Sequence, residues 1–163
     1  MLFYHSSCSE VEKLKAAIIL MAGALVVGAA PALPLGHARS MVSPSHSLPR
    51  PAVVMLWGTW CASCRDELRR IPTLAVAARP LPFVTLAIDP PAKAAAALAA
   101  GGFSTGNAYI DDRDPGTVLK EWGGGGTILP LAVAIDREGR VCGLKRGLLG
   151  TDQLRAWSKS CLR

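Results

Sequence analysis

The chain has 163 residues, of which half are hydrophobic and 18% are charged, and its formal net charge is +6. This apolar fraction excludes a mainly disordered protein, and the 16 glycines lack the triplet period of collagen. The basic residues are dispersed and form no stripe interleaved with aromatic residues, so the composition predicts no nucleic-acid partner. The length suits one domain together with a targeting segment.

The N-terminal segment has the pattern of an export signal. Two lysines precede the uncharged apolar run Ala16–Ala30, and proline and small residues follow it. Positive charge, about 15 apolar residues and a small-residue end are typical of a secretory signal peptide. Cleavage after Ala32 or Ala38 fits the pattern, which makes residues 1–38 the signal. An uncleaved membrane anchor through residues 16–35 is the alternative, and either arrangement exports the rest of the chain.

The next segment, residues 39–50, is predicted to be a linker. Serine and proline dominate it, and no apolar periodicity is present. The folded domain is then expected to cover residues 51–163. That length is sufficient to bury one hydrophobic core without obligatory cross-links.

Strands and helices are predicted to alternate along this domain. Continuous apolar runs indicate buried strands, and apolar positions three or four residues apart indicate helices. In chain order we expect a strand at 51–57, a helix at 62–78 interrupted by Pro72, a strand at 82–88, a helix at 91–100, a short strand at 108–110, a helix at 115–122, a hairpin of strands at 131–135 and 140–148, and a helix at 151–160. This order predicts an α/β fold with a mixed central sheet flanked by helices.

A Cys-x-x-Cys pair, Cys61 and Cys64, lies between the first predicted strand and the first predicted helix. A two-residue spacer in the first helical turn brings the two sulfur atoms within bonding reach. The unpaired N–H groups and the dipole of a helix N-terminus favour negative charge. We therefore expect Cys61 to be the attacking thiolate and Cys64 to be the resolving thiol of a redox pair.

Half of a structural zinc site is the alternative interpretation of such a pair. Zinc needs two more ligands, usually a second cysteine pair or a histidine pair. No second Cys-x-x-Cys is present, all three histidines precede the predicted domain, and Cys142 and Cys161 are too far apart for ligand spacing. The sequence therefore predicts redox cysteines and no metal.

Two segments resemble a known family. Met55–Arg65, MLWGTWCASCR, resembles the active-site segment of thioredoxin-fold proteins. Gly126–Val141 resembles the Gly-x-Pro-x-x-apolar-Ile-Asp-x-x-Gly stretch of the exported TlpA, ResA and CcmG/DsbE-like thiol-disulfide oxidoreductases. With the order of elements, the resemblance covers about residues 51–160. It implies a thioredoxin-like fold and an enzyme that uses a redox-active disulfide without a bound organic cofactor.

The resemblance also implies roles for single residues. Pro130 matches the family's cis-proline, which faces the cysteine pair, and it is expected to form the substrate groove with Leu129 and Trp60. Met55 stands where thioredoxin has a buried aspartate. Asp89, which follows the second predicted strand, is therefore the candidate proton acceptor, and the alternative is a surface residue at the end of that strand.

The implied activity is the reduction of disulfides in selected exported proteins, for example in the maturation of cytochromes c or copper sites. The reaction is expected in the periplasm or at the outer face of the cytoplasmic membrane, with electrons from a membrane donor. Two alternatives use the same cysteines. One is a Cu(I) metallochaperone, since soft thiolates suit that ion, and the other is a non-catalytic interaction domain with a structural disulfide.

Two further cysteines, Cys142 and Cys161, are expected to form a structural disulfide. The motif pairs Cys61 with Cys64, so these two remain in the predicted domain, one in the closing hairpin and one at the end of the last helix. An oxidising compartment favours their joining. The alternative is two unrelated cysteines, one in the sheet and one near the exposed tail.

Overall fold

The structure, a computed structural model, describes residues 32–123 and 127–163. Most of the predicted signal, and the apolar run within it, lies outside the described residues. In the part of the chain that is described, no helix combines the length and the apolar character needed to span a membrane.

Strands and helices alternate along the described residues as the sequence predicts. The strands are β1 (Arg39–Ser40), β2 (Ala52–Trp57), β3 (Phe83–Ala87), β4 (Ala108–Ile110), β5 (Leu131–Ile135) and β6 (Val141–Arg146). The helices are α1 (Ala62–Arg69), α2 (Ile71–Ala78), α3 (Pro91–Ala100), α4 (Pro115–Gly123) and α5 (Thr151–Ser160). The predicted helix at 62–78 is interrupted at Arg70, which separates α1 from α2. Pro72 lies in the first turn of α2, where the backbone N–H groups have no partner within the helix, so proline costs no hydrogen bond there.

The strands form one mixed sheet in the order β1-β4-β3-β2-β5-β6. β2, β3 and β4 run parallel to one another, whereas β1, β5 and β6 join as antiparallel strands. Every residue of β2 and β3 is buried, because apolar layers cover both faces of the sheet. The predicted α/β fold with a mixed sheet is therefore confirmed.

The two apolar layers lie on opposite faces of the sheet. One layer joins α1, α2, α3 and α5 to the sheet and includes Leu68, Leu98 and Trp157 together with the Cys-x-x-Cys pair. The other layer is covered by α4 through Leu119 and Trp122. The cysteine pair therefore sits at the rim of a packed core and not on an isolated loop.

The segment predicted to be a linker contributes to this fold. Arg39–Ser40 pair with β4 at the edge of the sheet, and Ala38 and Leu48 are buried in the second layer. The packed part of the chain thus begins before residue 51, which differs from the expected boundary. A two-residue strand and isolated apolar residues show no periodicity, so they cannot be predicted within a Ser- and Pro-rich segment.

A β-bulge in the edge strand β6 places the second pair of cysteines. Ala134 pairs with Gly143 and Ile135 with Val141, so Cys142 is the extra residue. A bulge re-aims a side chain, and Cys142 packs against the first apolar layer. There it forms a disulfide with Cys161, which ends α5, with Cα atoms 5.5 Å apart.

Candidate active site

The Cys-x-x-Cys pair lies at the carboxyl end of the central strand β2. β2 ends at Trp57 and α1 begins at Ala62, so a short connection carries Cys61 to the first turn of the helix. This edge of an open α/β sheet is where such folds place their reactive groups.

Cys61 and Cys64 form a disulfide whose Cα atoms lie 5.2 Å apart. Cys61 is the N-cap of α1, and its Sγ accepts a hydrogen bond from the Cys64 N–H at 3.1 Å. The Ser63 hydroxyl lies 3.4 Å from the same sulfur. Cys61 is 8% exposed and Cys64 is fully buried, so an external sulfur reaches Cys61 first.

Trp60 presents an aromatic surface next to Cys61. The residue is 59% exposed, although its indole ring lies over the backbone of Gly58. A Cβ at Gly58 would lie 2.8 Å from the indole Nε1, so only glycine leaves room for this ring position.

The Leu129–Pro130 peptide bond is cis, as the resemblance implies. Pro130 is buried, Leu129 is half-buried against both apolar layers, and Ile128 is exposed. The Pro130 carbonyl accepts a hydrogen bond from the Gly147 N–H at 2.8 Å. This bond brings the loop before α5, with the exposed Leu148, next to Pro130.

Asp89, the predicted proton acceptor, is engaged elsewhere. It is buried just beyond β3, where its Oδ2 accepts from the Thr59 N–H at 2.6 Å and its Oδ1 from the Thr59 hydroxyl at 3.0 Å. Within residues 32–123 and 127–163, none of its hydrogen bonds reaches a cysteine. Asp89 therefore holds the connection between β2 and Cys61, and its role as a proton acceptor stays a prediction.

Glu67 is the acidic residue of the site that the sequence did not reveal. It lies on α1 three residues after Cys64 and is fully buried. Residues three apart share a helix face, so its side chain leaves the helix on the side that carries Cys64. Its Oε1 accepts from the Leu149 N–H at 2.6 Å and its Oε2 from the Arg70 guanidinium at 2.8 Å. The sequence signal that could have revealed it is the spacing of Cys64, Glu67 and Leu68. These residues lie three and four positions apart, so they share the buried face of α1.

Neither a protein-family model nor a curated protein sequence matches the chain. Solved structures do match it. StoA from Bacillus subtilis has a TM-score of 0.60 at 19% identity, over 80% of this chain and 98% of StoA. A thioredoxin-related protein from Neisseria meningitidis serogroup B has a TM-score of 0.59 at 20% identity, over 75% and 96%. A secreted Mycobacterium tuberculosis disulfide oxidoreductase homologous to E. coli DsbE has a TM-score of 0.53 at 17% identity, over 75% and 92%.

The chain has a thioredoxin-like fold. This confirms the fold that the two sequence segments imply. At these identities the likeness concerns the fold, so the chemistry is argued from the cysteine pair itself. In this thioredoxin-like arrangement Cys61, the aromatic Trp60 and the Leu129–Pro130 loop lie on elements that meet at one end of the sheet.

Proposed function

We propose that the protein is a thiol-disulfide oxidoreductase that reduces disulfides in selected exported proteins. The observation that carries the proposal is the disulfide-bonded Cys-x-x-Cys at the N-terminus of α1, in which Cys61 is 8% exposed and Cys64 is fully buried. A purely structural disulfide has no need of an accessible sulfur at a helix N-terminus, where a thiolate is stabilised.

The exchange takes place in two steps. The Cys61 thiolate attacks one sulfur of the client disulfide, forms a mixed disulfide, and releases the other client sulfur as a thiolate that takes up a proton. Cys64 then loses its proton and attacks the Cys61 sulfur, which releases the second client thiolate. The client gains two electrons and two protons, and Cys61–Cys64 becomes the disulfide present in the structure.

Two groups near the sulfur atoms support these steps. The Cys64 N–H, 3.1 Å from the Cys61 sulfur, stabilises the negative charge of the attacking thiolate. Glu67 supplies a buried carboxylate on the Cys64 face of α1, and its bonds to the Leu149 N–H and to Arg70 hold this helix in place beside the loop that precedes α5.

The client segment is proposed to lie in a groove beside Cys61. Trp60, Ile128 and Leu148 are exposed apolar side chains on the three loops that meet at this end of the molecule. Leu129 and Pro130 form the floor between them. Exposed apolar groups of this kind mark a protein-contact surface.

The exported location rests on the predicted signal in residues 1–38 and on the sequence resemblance. One solved protein of similar fold is described as secreted. The same proposal includes a membrane electron donor and clients such as apocytochromes c or copper-site proteins. The cysteine pair carries both electrons, so the exchange needs no organic cofactor.

Serine substitutions of the two cysteines test the function. Cys61→Ser should abolish reduction of insulin, whereas Cys64→Ser should accumulate mixed disulfides because attack survives and resolution does not. Non-reducing electrophoresis and mass spectrometry detect the trapped species, with Cys61→Ser/Cys64→Ser as the control that traps nothing. Trapping by Cys61→Ser alone would reverse the two roles. A wild-type protein that binds Cu(I) and reduces no disulfide would favour the metallochaperone alternative.

A further inference from the structure

A groove beside the cysteine pair is not used by the exchange steps. It lies between α1 and the C-terminal end of α3 and has a volume of about 340 Å³. Trp57 and Leu68 close its floor and are almost fully buried, whereas Phe103 is partly exposed. Thr59, two residues before Cys61 in the chain, also lines the groove.

Two arginines give this groove a positive rim. Arg65 and Arg69 are exposed and lie one turn apart on α1, and both line the groove. Arg65 has no ion-pair partner among the residues that the structure describes. Arg69 is 2.7 Å from Asp66, in a pair whose side chains are 71% and 69% exposed. So exposed a pair is weak and exchanges partners at little cost.

The opposite wall supplies no competing negative charge. It consists of small residues near the end of α3, Ala97, Ala100 and Gly101. The buried carboxylate of Asp89, which bonds to Thr59 of the groove lining, already accepts two hydrogen bonds from that residue. The groove therefore offers two guanidinium groups above an apolar floor, which is complementary to a carboxylate with apolar neighbours.

We propose that this groove selects client segments that carry an acidic residue close to the reacting disulfide. The client carboxylate lies at Arg65 and Arg69, whose planar guanidinium groups suit two-point recognition of a carboxylate, and an apolar neighbour packs on the partly exposed Phe103. The inference rests on the proposed function, because the groove derives its role from its place beside Cys61. The net charge of +6 attracts acidic segments to the whole molecule, whereas the rim fixes where they bind.

Two short peptides test the proposal by binding alone. They are identical except for an aspartate or an asparagine beside a serine that replaces the client cysteine. Binding to the oxidised wild-type protein is measured by calorimetry, so thiol chemistry plays no part. We expect the aspartate peptide to bind about threefold more tightly or better, and Arg65→Gln to remove most of that difference.

Arg79→Gln is the matched control. Arg79 is exposed at the end of α2, lines a different cavity, and has no ion-pair partner in the described part of the chain. Its substitution removes the same charge from the molecule. Equal weakening by Arg65→Gln and Arg79→Gln would assign the preference to net charge and overturn the groove. Equal binding of the two peptides to the wild type would also overturn it.

The same peptides with a cysteine in a disulfide separate this proposal from the proposed function. Reduced wild-type protein should reduce the aspartate peptide faster than the asparagine peptide, and the ratio of the two rates should fall toward one in Arg65→Gln. Arg65-dependent binding without any reduction would support the groove and refute the oxidoreductase. Reduction of both peptides at equal rates, with equal binding, would refute the groove and leave the oxidoreductase intact.

Discussion

The carboxylate of Glu67 joins two parts of the site that are 82 residues apart in the chain. One carboxylate oxygen accepts a hydrogen bond from the N–H of Leu149, which directly follows the exposed Leu148. The other oxygen accepts a hydrogen bond from the Arg70 guanidinium. A buried charge is tolerated when it is paired and its hydrogen bonds are complete. Glu67 meets both conditions, and so it fixes the position of α1 relative to the loop beside Pro130.

Removal of this carboxylate should destabilise the fold. We expect Glu67→Ala to lower the free energy of unfolding by about 2–4 kcal/mol, because the buried Leu149 N–H loses its acceptor and the side chain leaves a cavity. Glu67→Gln keeps one hydrogen-bond acceptor, so its free energy of unfolding should lie between those of the wild type and of Glu67→Ala. Urea unfolding measures the change, and Asp66→Ala, at an exposed ion pair, should stay within about 0.5 kcal/mol. Equal losses for Glu67→Ala and Asp66→Ala would contradict this role.

The turn between β5 and β6 contains a carboxylate that makes stability depend on pH. Burial of Asp136 raises its pKa, but hydrogen bonds from the Arg140 N–H and guanidinium, together with the Arg140 charge, outweigh burial and lower the pKa below its usual value. A carboxyl group with a lowered pKa in the folded state stabilises the fold above its unfolded pKa of about 3.9. That contribution is lost as the pH falls through the lower, folded-state pKa.

Asp136→Asn should therefore flatten the acid side of the stability profile. Urea unfolding between neutral pH and the pH of acid unfolding should show a smaller decrease for the variant than for the wild type. Arg140→Gln should flatten the same region, because it removes the cation that lowers the pKa. If stability falls with the same slope at low pH in the wild type and in Asp136→Asn, then Asp136 titrates alike in the folded and the unfolded protein, which would contradict this prediction.

At the scale of elements, one close approach joins α5 to β6. The indole of Trp157 lies on Gly143, where an added Cβ would be 2.4 Å from Nε1. Trp157 is buried in the first apolar layer, so its ring has no free space to move into. The bulge at Cys142 and the absent side chain of Gly143 together let the last helix dock on the edge of the sheet.

Gly143→Ala should separate these two elements. We expect a loss of about 1–3 kcal/mol in the free energy of unfolding, since the new methyl group overpacks against a buried ring. Thermal or urea unfolding measures it. Gly106→Ala is the control, because Gly106 is exposed and an added Cβ would meet only the Ser104 Oγ at 3.5 Å, so its effect should stay within about 0.5 kcal/mol. Similar losses in the two variants would exclude the close approach as the cause.

The sequence predicts those elements whose local pattern reports their burial. β2 and β3 are buried on both faces and therefore read as continuous apolar runs, and α3 reads as an alanine-rich helix. The two-residue β1 and the bulge at Cys142 depend on partners distant in the chain and leave no local pattern.

The residues of the candidate site also differ in whether a local pattern predicts them or distant partners determine their place. The pair Cys61 and Cys64 follows from local spacing. Glu67 was missed because a glutamate on a polar helix is normally exposed, and its burial depends on Leu149. The bond between Asp89 and Thr59 likewise joins elements that only the fold brings together, so the sequence did not reveal it.

At the scale of the whole molecule, two disulfides with different roles pack against the same apolar layer. Cys61–Cys64 joins residues three apart, so it constrains the unfolded chain little and can open and close within one helical turn. Cys142–Cys161 joins residues 19 apart and ties the last helix to the edge strand. The first is suited to exchange, and the second to holding the end of the chain on the sheet.

Loss of the second disulfide should therefore cost stability and leave the chemistry in place. For a loop of this length the chain-entropy relation gives about 3 kcal/mol, so Cys142→Ala/Cys161→Ala should unfold at clearly lower urea concentration. Below the onset of unfolding, its rate of insulin reduction should match that of the wild type, because neither cysteine belongs to the reacting pair. Peptide mapping by mass spectrometry of Cys61→Ser/Cys64→Ser, produced in an oxidising compartment, checks the bond directly. Recovery of Cys142 and Cys161 as free thiols would show that packing of Trp157 on Gly143, and not a covalent link, holds α5 in place.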